Sequence, residues 1–205
     1  MAPKPEFAHP YYDLANAGVE MVVASPAGGE APLDQGSVEM FKADEQSVKF
    51  LNEKKQIWEQ TTPLKEFVGK ANEFDAIFYP GGHGPMFDLV NDETSIKLIE
   101  EFYKAGKPVA AVCHGPIVFV NVKVDGKPLL EGREATGFSN SEEDAVGLTS
   151  AMPVLLEDEI KRVGGKYVKA ADWAEKAVVD GQVITGQNPA SAHAVGLAII
   201  KAIGA

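Results

Sequence analysis

Three short, nearly unbroken apolar runs, each stopped by a turn rich in glycine or proline, constrain this chain more than any other feature. They are Val19-Glu20-Met21-Val22-Val23-Ala24 before Ser25-Pro26 and Gly28-Gly29, Asp75-Ala76-Ile77-Phe78-Tyr79 before Pro80-Gly81-Gly82, and Pro108-Val109-Ala110-Ala111-Val112 before Cys113-His114-Gly115. Strands without polar alternation are covered on both faces, as in parallel sheets flanked by helices. Helical patterns lie between and after them. Residues 92–105 place Ile96, Leu98, Ile99 and Phe102 on one side, with Gly106 as a stop. Residues 152–163 do the same with Val154, Leu155, Ile160 and Val163, and residues 189–203 with Val195, Ala198, Ile199 and Ala202. Asp180-Gly181 predicts a hairpin over 177–184. Strand and helix in alternation predict an α/β fold with a mostly parallel sheet, formed by the 205 residues as a single domain. Ligands of such sheets bind beyond the carboxyl ends of the strands.

Charge and cysteine content remove several function classes. The net charge of −11 repels phosphate backbones, so no nucleic-acid partner is expected. No apolar run approaches the ~18 residues of a membrane span, so no membrane partner is expected either. The N-terminal residues show no apolar signal region, and the single cysteine allows no internal disulfide, so a cytoplasmic protein is expected.

That cysteine, Cys113, ends a strand and is followed by His114-Gly115-Pro116 and then Ile117-Val118-Phe119. Strand, sharp turn and helix form a nucleophile elbow, which projects the thiol at the sheet's carboxyl edge near unused backbone N–H groups. A helix N-terminus there favours the thiolate. A lone cysteine is more often an inert core residue; the His-Gly-Pro that follows favours the reactive reading. Gly81-Gly82-His83-Gly84, at the end of a neighbouring strand, is more often only a turn. Beside an elbow cysteine it forms the second wall of a pocket, its glycines able to aim backbone amides inward as an oxyanion donor requires. His9 and His83 are candidate pocket residues, and His193 a packing or surface residue. Trp58 and Trp173 are expected in the core or at a dimer contact. No two histidines stand at metal-ligand spacing and no Cys-x-x-Cys occurs, so no metal site is expected.

Five segments, taken together, carry a resemblance to a known family. They are Pro5-Glu6-Phe7-Ala8-His9-Pro10, Gly81-Gly82-His83-Gly84, Ala110-Ala111-Val112-Cys113-His114-Gly115-Pro116, Thr136-Gly137-Phe138 and Thr185-Gly186-Gln187-Asn188-Pro189-Ala190-Ser191. In this order they resemble the ThiJ/PfpI-type superfamily, with its class I glutamine amidotransferase-like fold. Within it, the chain looks most like the fungal heat-shock-type glutathione-independent glyoxalases. The resemblance covers nearly the whole chain. It implies a flavodoxin-like three-layer sandwich, here lacking the family's first strand, and a homodimer. It further implies Cys113 as nucleophile, His114 as its neighbour and Glu6 as a carboxyl sharing a proton with the sulfur. The acid behind the histidine falls on Glu143, flanked by Glu142 and Asp144, either of which could take the place. The plain reading of these three residues is the acidic first turn of a helix capped by Ser141.

The implied reaction converts methylglyoxal, a 2-oxoaldehyde, to D-lactate through a Cys113 hemithioacetal, with no dissociable cofactor. Two rival readings use the same chain. One is a stress chaperone whose partners are unfolded proteins, in the cytoplasm and the nucleus. The other is a cysteine hydrolase or deglycase on the same elbow.

Overall fold

The computed structural model describes residues 5–33 and 35–205. In chain order the helices are α1 (Pro5–Asn16), α2 (Gln35–Met40), α3 (Glu45–Glu53), α4 (Gln56–Glu59), α5 (Glu93–Lys104), α6 (Asn140–Ala145), α7 (Leu156–Arg162) and α8 (Ala192–Ile203). The strands are β1 (Ala24–Ser25), β2 (Thr62–Pro63), β3 (Ile77–Tyr79), β4 (Val109–Val112), β5 (Lys123–Val124), β6 (Lys127–Pro128), β7 (Glu134–Ala135), β8 (Lys166–Tyr167), β9 (Ala177–Asp180) and β10 (Val183–Gly186).

The central sheet has the order β3-β4-β10-β9. β4 runs parallel to β3 and to β10, and only the β9–β10 hairpin is antiparallel. Val109, Ala110, Ala111 and Val112 are all fully buried. Successive strand residues point to opposite faces, so both faces of β4 are covered. α5 packs on it through Ile99 and Phe102, and α8 brings Val195 and Ile199 to the same core, with α1 laid against α8. This is the mostly parallel α/β sandwich that the apolar runs predict. A smaller cluster, Ala8, Ala31, Phe50 and Trp58, joins α1 to α3.

Several predicted elements change. The run at 19–24 is a strand only at its end, where Ala24 and Ser25 pair with Thr62 and Pro63. A run becomes a strand only beside an open edge in register. Here residues of the run, Val19, Met21 and Val23, line a cavity of about 620 Å³ together with Phe74, Ala76 and Phe78, and do not pair with β3. Ile77 N–H donates to Pro108 O at 3.1 Å, so the parallel register turns the backbone groups of Phe78 the other way, toward this cavity.

Met152 to Leu155 stay outside α7, leaving Val154 exposed, and the buried face is Leu156, Ile160 and Val163. Ala202 is also exposed, because the last turn of α8 runs past the sheet. The hairpin turns at Gly181-Gln182, with Asp180 still paired to Val183. Trp58 is in the core as expected, whereas Trp173 is 47% exposed.

Candidate active site

The elbow forms at the carboxyl end of β4. Cys113 has φ +62°, a left-handed conformation that costs a non-glycine residue about 1–3 kcal/mol and persists only when its surroundings fix it. They do so on both sides: Cys113 N–H donates to Gly186 O at 2.9 Å, and Phe138 N–H donates to Cys113 O at 2.9 Å. The following segment, Gly115–Phe119, is a single 3-10 helix and not the α-helix expected there. Only a short stretch of aligned peptides lies behind the sulfur, so the histidine and the pocket amides matter more than a helix dipole.

Two glycines let the chain close around the thiol. A Cβ on Gly81 would stand 2.6 Å from Cys113 Cβ and 2.8 Å from Val112 O. One on Gly115 would stand 2.5 Å from Tyr79 O. Gly81, Gly82, His83 and Gly84 line a cavity of about 840 Å³ that opens beside β3. A volume of this size suits a small-molecule site.

Cys113 Sγ lies 3.4 Å from His114 Nδ1. On the far side of the ring, His114 Nε2 lies 2.6 Å from Glu143 Oε2. All three side chains are buried. With Nε2–H donated to the carboxylate, Nδ1 is the nitrogen left to exchange a proton with sulfur. Of the three acidic candidates, Glu143 is therefore the one joined to the histidine.

Burial pushes the Glu143 carboxyl up, but hydrogen bonds from His114 and then His83 outweigh it and bring the group down to about 2. Glu142 has a different place. Its Oε1 accepts from Trp173 N–H at 2.8 Å, Asn188 Nδ2 at 2.8 Å and Gln187 Nε2 at 3.2 Å, while Oε2 accepts from Ser139 N–H at 3.0 Å. Asp144 is exposed. Ser139, and not Ser141, caps α6, in a reciprocal capping box with Glu142.

His83 is the residue whose placement spacing does not disclose. Its Nε2 lies 2.9 Å from Glu143 Oε1, and its ring lies 4.1 Å from that of His114, which also stacks on Phe138 at 4.4 Å. His9 moves out of the pocket: its Nε2 lies 3.1 Å from both carboxylate oxygens of Asp44, the residue that caps α3, and it is not a wall of the cavity. His193 is a surface residue, as expected, 2.8 Å from Asp13. Glu6 is 1% exposed in the first turn of α1, far from the solvated state usual for a glutamate. Among the described residues, no helix is long and apolar enough to cross a membrane.

A buried cysteine on a strained strand-to-turn elbow, backed by a histidine and a carboxylate, is the candidate reactive centre of this α/β protein. The sequence model of the DJ-1/PfpI family matches residues 3–202, and the chain belongs to that family. It is 31% identical to the glutathione-independent glyoxalase HSP31 of Saccharomyces cerevisiae, over 97% of this chain and 87% of that one. It is likewise 31% identical to glyoxalase 3 of Candida albicans, over 91% of this chain and 83% of the relative. The crystal structure of glyoxalase III from Candida albicans superposes with a TM-score of 0.88 at 30% identity, covering 97% of this chain and 86% of that chain. The fold is thus the flavodoxin-like α/β fold of these relatives.

Proposed function

We propose that this chain is a glutathione-independent glyoxalase that converts methylglyoxal to D-lactate, a lyase of the D-lactate dehydratase type. The observation that carries this reading is the unbroken relay from Cys113 through His114 to Glu143 beside a small-molecule cavity. The names of the relatives supply the substrate class.

The Cys113 thiolate adds to the aldehyde carbon of methylglyoxal, and the carbonyl π pair becomes an oxyanion held by the N–H groups of Gly82 and His114. Protonation of that oxygen gives a hemithioacetal. Glu6, buried in the first turn of α1, removes the proton from C1 in this reading, and the resulting enediol takes a proton back at C2. The product is the thioester of lactate on Cys113. Water, deprotonated by His114, then cleaves the C–S bond and releases lactate with the thiolate restored. Methylglyoxal and one water give one lactic acid, with no net oxidation and no dissociable cofactor. Glu143 holds the imidazole in the tautomer this needs and stabilises the imidazolium. We place the activity in a homodimer, in the cytoplasm and the nucleus.

Lactate release from methylglyoxal by the purified chain without glutathione tests the reading. Turnover that is lost in Cys113→Ala and in Glu6→Gln supports it, provided the thiol of Glu6→Gln still reacts with an alkylating agent. Normal turnover in Glu6→Gln would remove the carboxyl from the proton transfer. Aggregation suppression without any lactate would identify the chaperone, and amide or glycated-amine cleavage without lactate the hydrolase or deglycase.

A further inference from the structure

Two imidazoles converge on one carboxylate beside the sulfur. Glu143 meets His114 Nε2 through Oε2 at 2.6 Å and His83 Nε2 through Oε1 at 2.9 Å. Orienting His114 needs one of these contacts. The second imidazole completes a different set: two histidine nitrogens and a carboxylate are the three protein ligands of one type of zinc site, with a fourth position left open. We propose that His83, His114 and Glu143 bind one zinc ion, and that the bound ion switches the site off.

The geometry is close to what zinc requires. The three ligand atoms lie within 4.8 Å of one another. Bonds of about 2.1 Å to a tetrahedral ion put its ligands about 3.4 Å apart. The widest pair must close by up to about 1.4 Å, while the hydrogen-bonded pairs open by about 0.8 Å for His114 and about 0.5 Å for His83. His114 and Glu143 are buried, so their own pair opens through a small turn of the carboxylate, and the larger adjustment falls on His83. That side chain is 25% exposed, follows Gly82 with φ +92°, and faces the cavity through which an ion would arrive.

Zinc takes the place of the Nε2 protons. Each neutral imidazole shifts its proton to Nδ1, and an imidazolium releases one proton to solvent. His114 then carries N–H on the nitrogen facing Cys113 Sγ, 3.4 Å away, and accepts no further proton from thiol or water. Because the sulfur meets the ring nitrogen opposite the ion, the thiolate is not a ligand.

The test is metal binding by the full chain, with zinc in equilibrium dialysis and cobalt(II) as a coloured substitute. One zinc per chain is expected. The cobalt form should show tetrahedral ligand-field bands and no sulfur-to-cobalt charge-transfer band. Cys113→Ala should leave affinity and spectrum unchanged, while His83→Gln should weaken zinc at least ~10-fold, since loss of even an outer-shell partner has effects of that size. Absence of binding, equal binding in His83→Gln, or loss of binding in Cys113→Ala would each overturn the proposal. Inhibition rests on the proposed glyoxalase activity: lactate formation should stop with zinc and return with a chelator. The binding measurement stands without it, so a chain that binds zinc as described but forms no lactate supports the site and refutes only the function.

Discussion

His114 and Glu143 are joined at 2.6 Å through Nε2 and Oε2, and neither residue is open to solvent. The carboxylate's charge is held by this contact and by His83 on its other oxygen, and the second nitrogen of the His114 ring faces Cys113 Sγ at 3.4 Å. This pair makes the strained, buried cysteine beside it a candidate nucleophile and not an inert core thiol.

Glu143 also gives stability a pH dependence. Its carboxyl lies at about 2 in the folded chain, against an ordinary value of 4.5. A lowered carboxyl stabilises the fold above its unfolded value, and the contribution fades as pH falls through the folded value. In urea denaturation, the stability advantage of wild type over Glu143→Gln should therefore be full above pH 4.5 and shrink steadily toward pH 2. A difference that does not change over that range would remove the ion pairing.

Glu142 should be structural where Glu143 is chemical. Its carboxylate gathers Trp173, Gln187, Asn188 and Ser139 at the site's edge. Glu142→Ala leaves several buried donors without an acceptor, at about 1–3 kcal/mol each, so a loss of about 3 kcal/mol overall is a modest expectation. At roughly 2–4 °C per kcal/mol for a domain of this size, the melting temperature should fall by about 6–12 °C. Calorimetry of Glu142→Ala checks it, and an unchanged melting temperature would remove the structural role.

Gly81→Ala should cost turnover. The added methyl meets Cys113 Cβ at 2.6 Å and Sγ at 3.3 Å, so either the elbow or the loop must shift. Displacement of a reacting atom by about 1 Å can cost about 100-fold in rate. Lactate release should fall by about that factor. A fully active Gly81→Ala would place the reacting carbon elsewhere.

Gly115→Ala tests the same elbow through stability. Its Cβ would face the backbone oxygen of Tyr79 at 2.5 Å, a contact that no side-chain rotation relieves. A loss of about 1–3 kcal/mol is expected, as for other overpacked sites, and denaturant titration reads it directly. An unchanged midpoint would mean that β3 and the elbow are not packed so tightly.

The amino-acid order by itself determined the α/β class, the elbow and the glycine loop. Each is a local matter: an apolar run of strand length, a stop signal and a nucleophile in adjacent residues. It also led to Glu143 through the family resemblance, but left Glu142 and Asp144 as alternatives, because neighbours on a helical turn differ only in where each side chain points. Tertiary structure made that choice, sending Glu143 to His114 and Glu142 to Asn188. It turned His9 to Asp44 and set His83, already expected in the pocket, against Glu143, since imidazoles pair with whichever carboxylate the packing sets beside them. It buried Glu6, and it left 19–24 mostly unpaired. A strand needs a partner edge as well as a pattern, and only the folded chain supplies or withholds that edge.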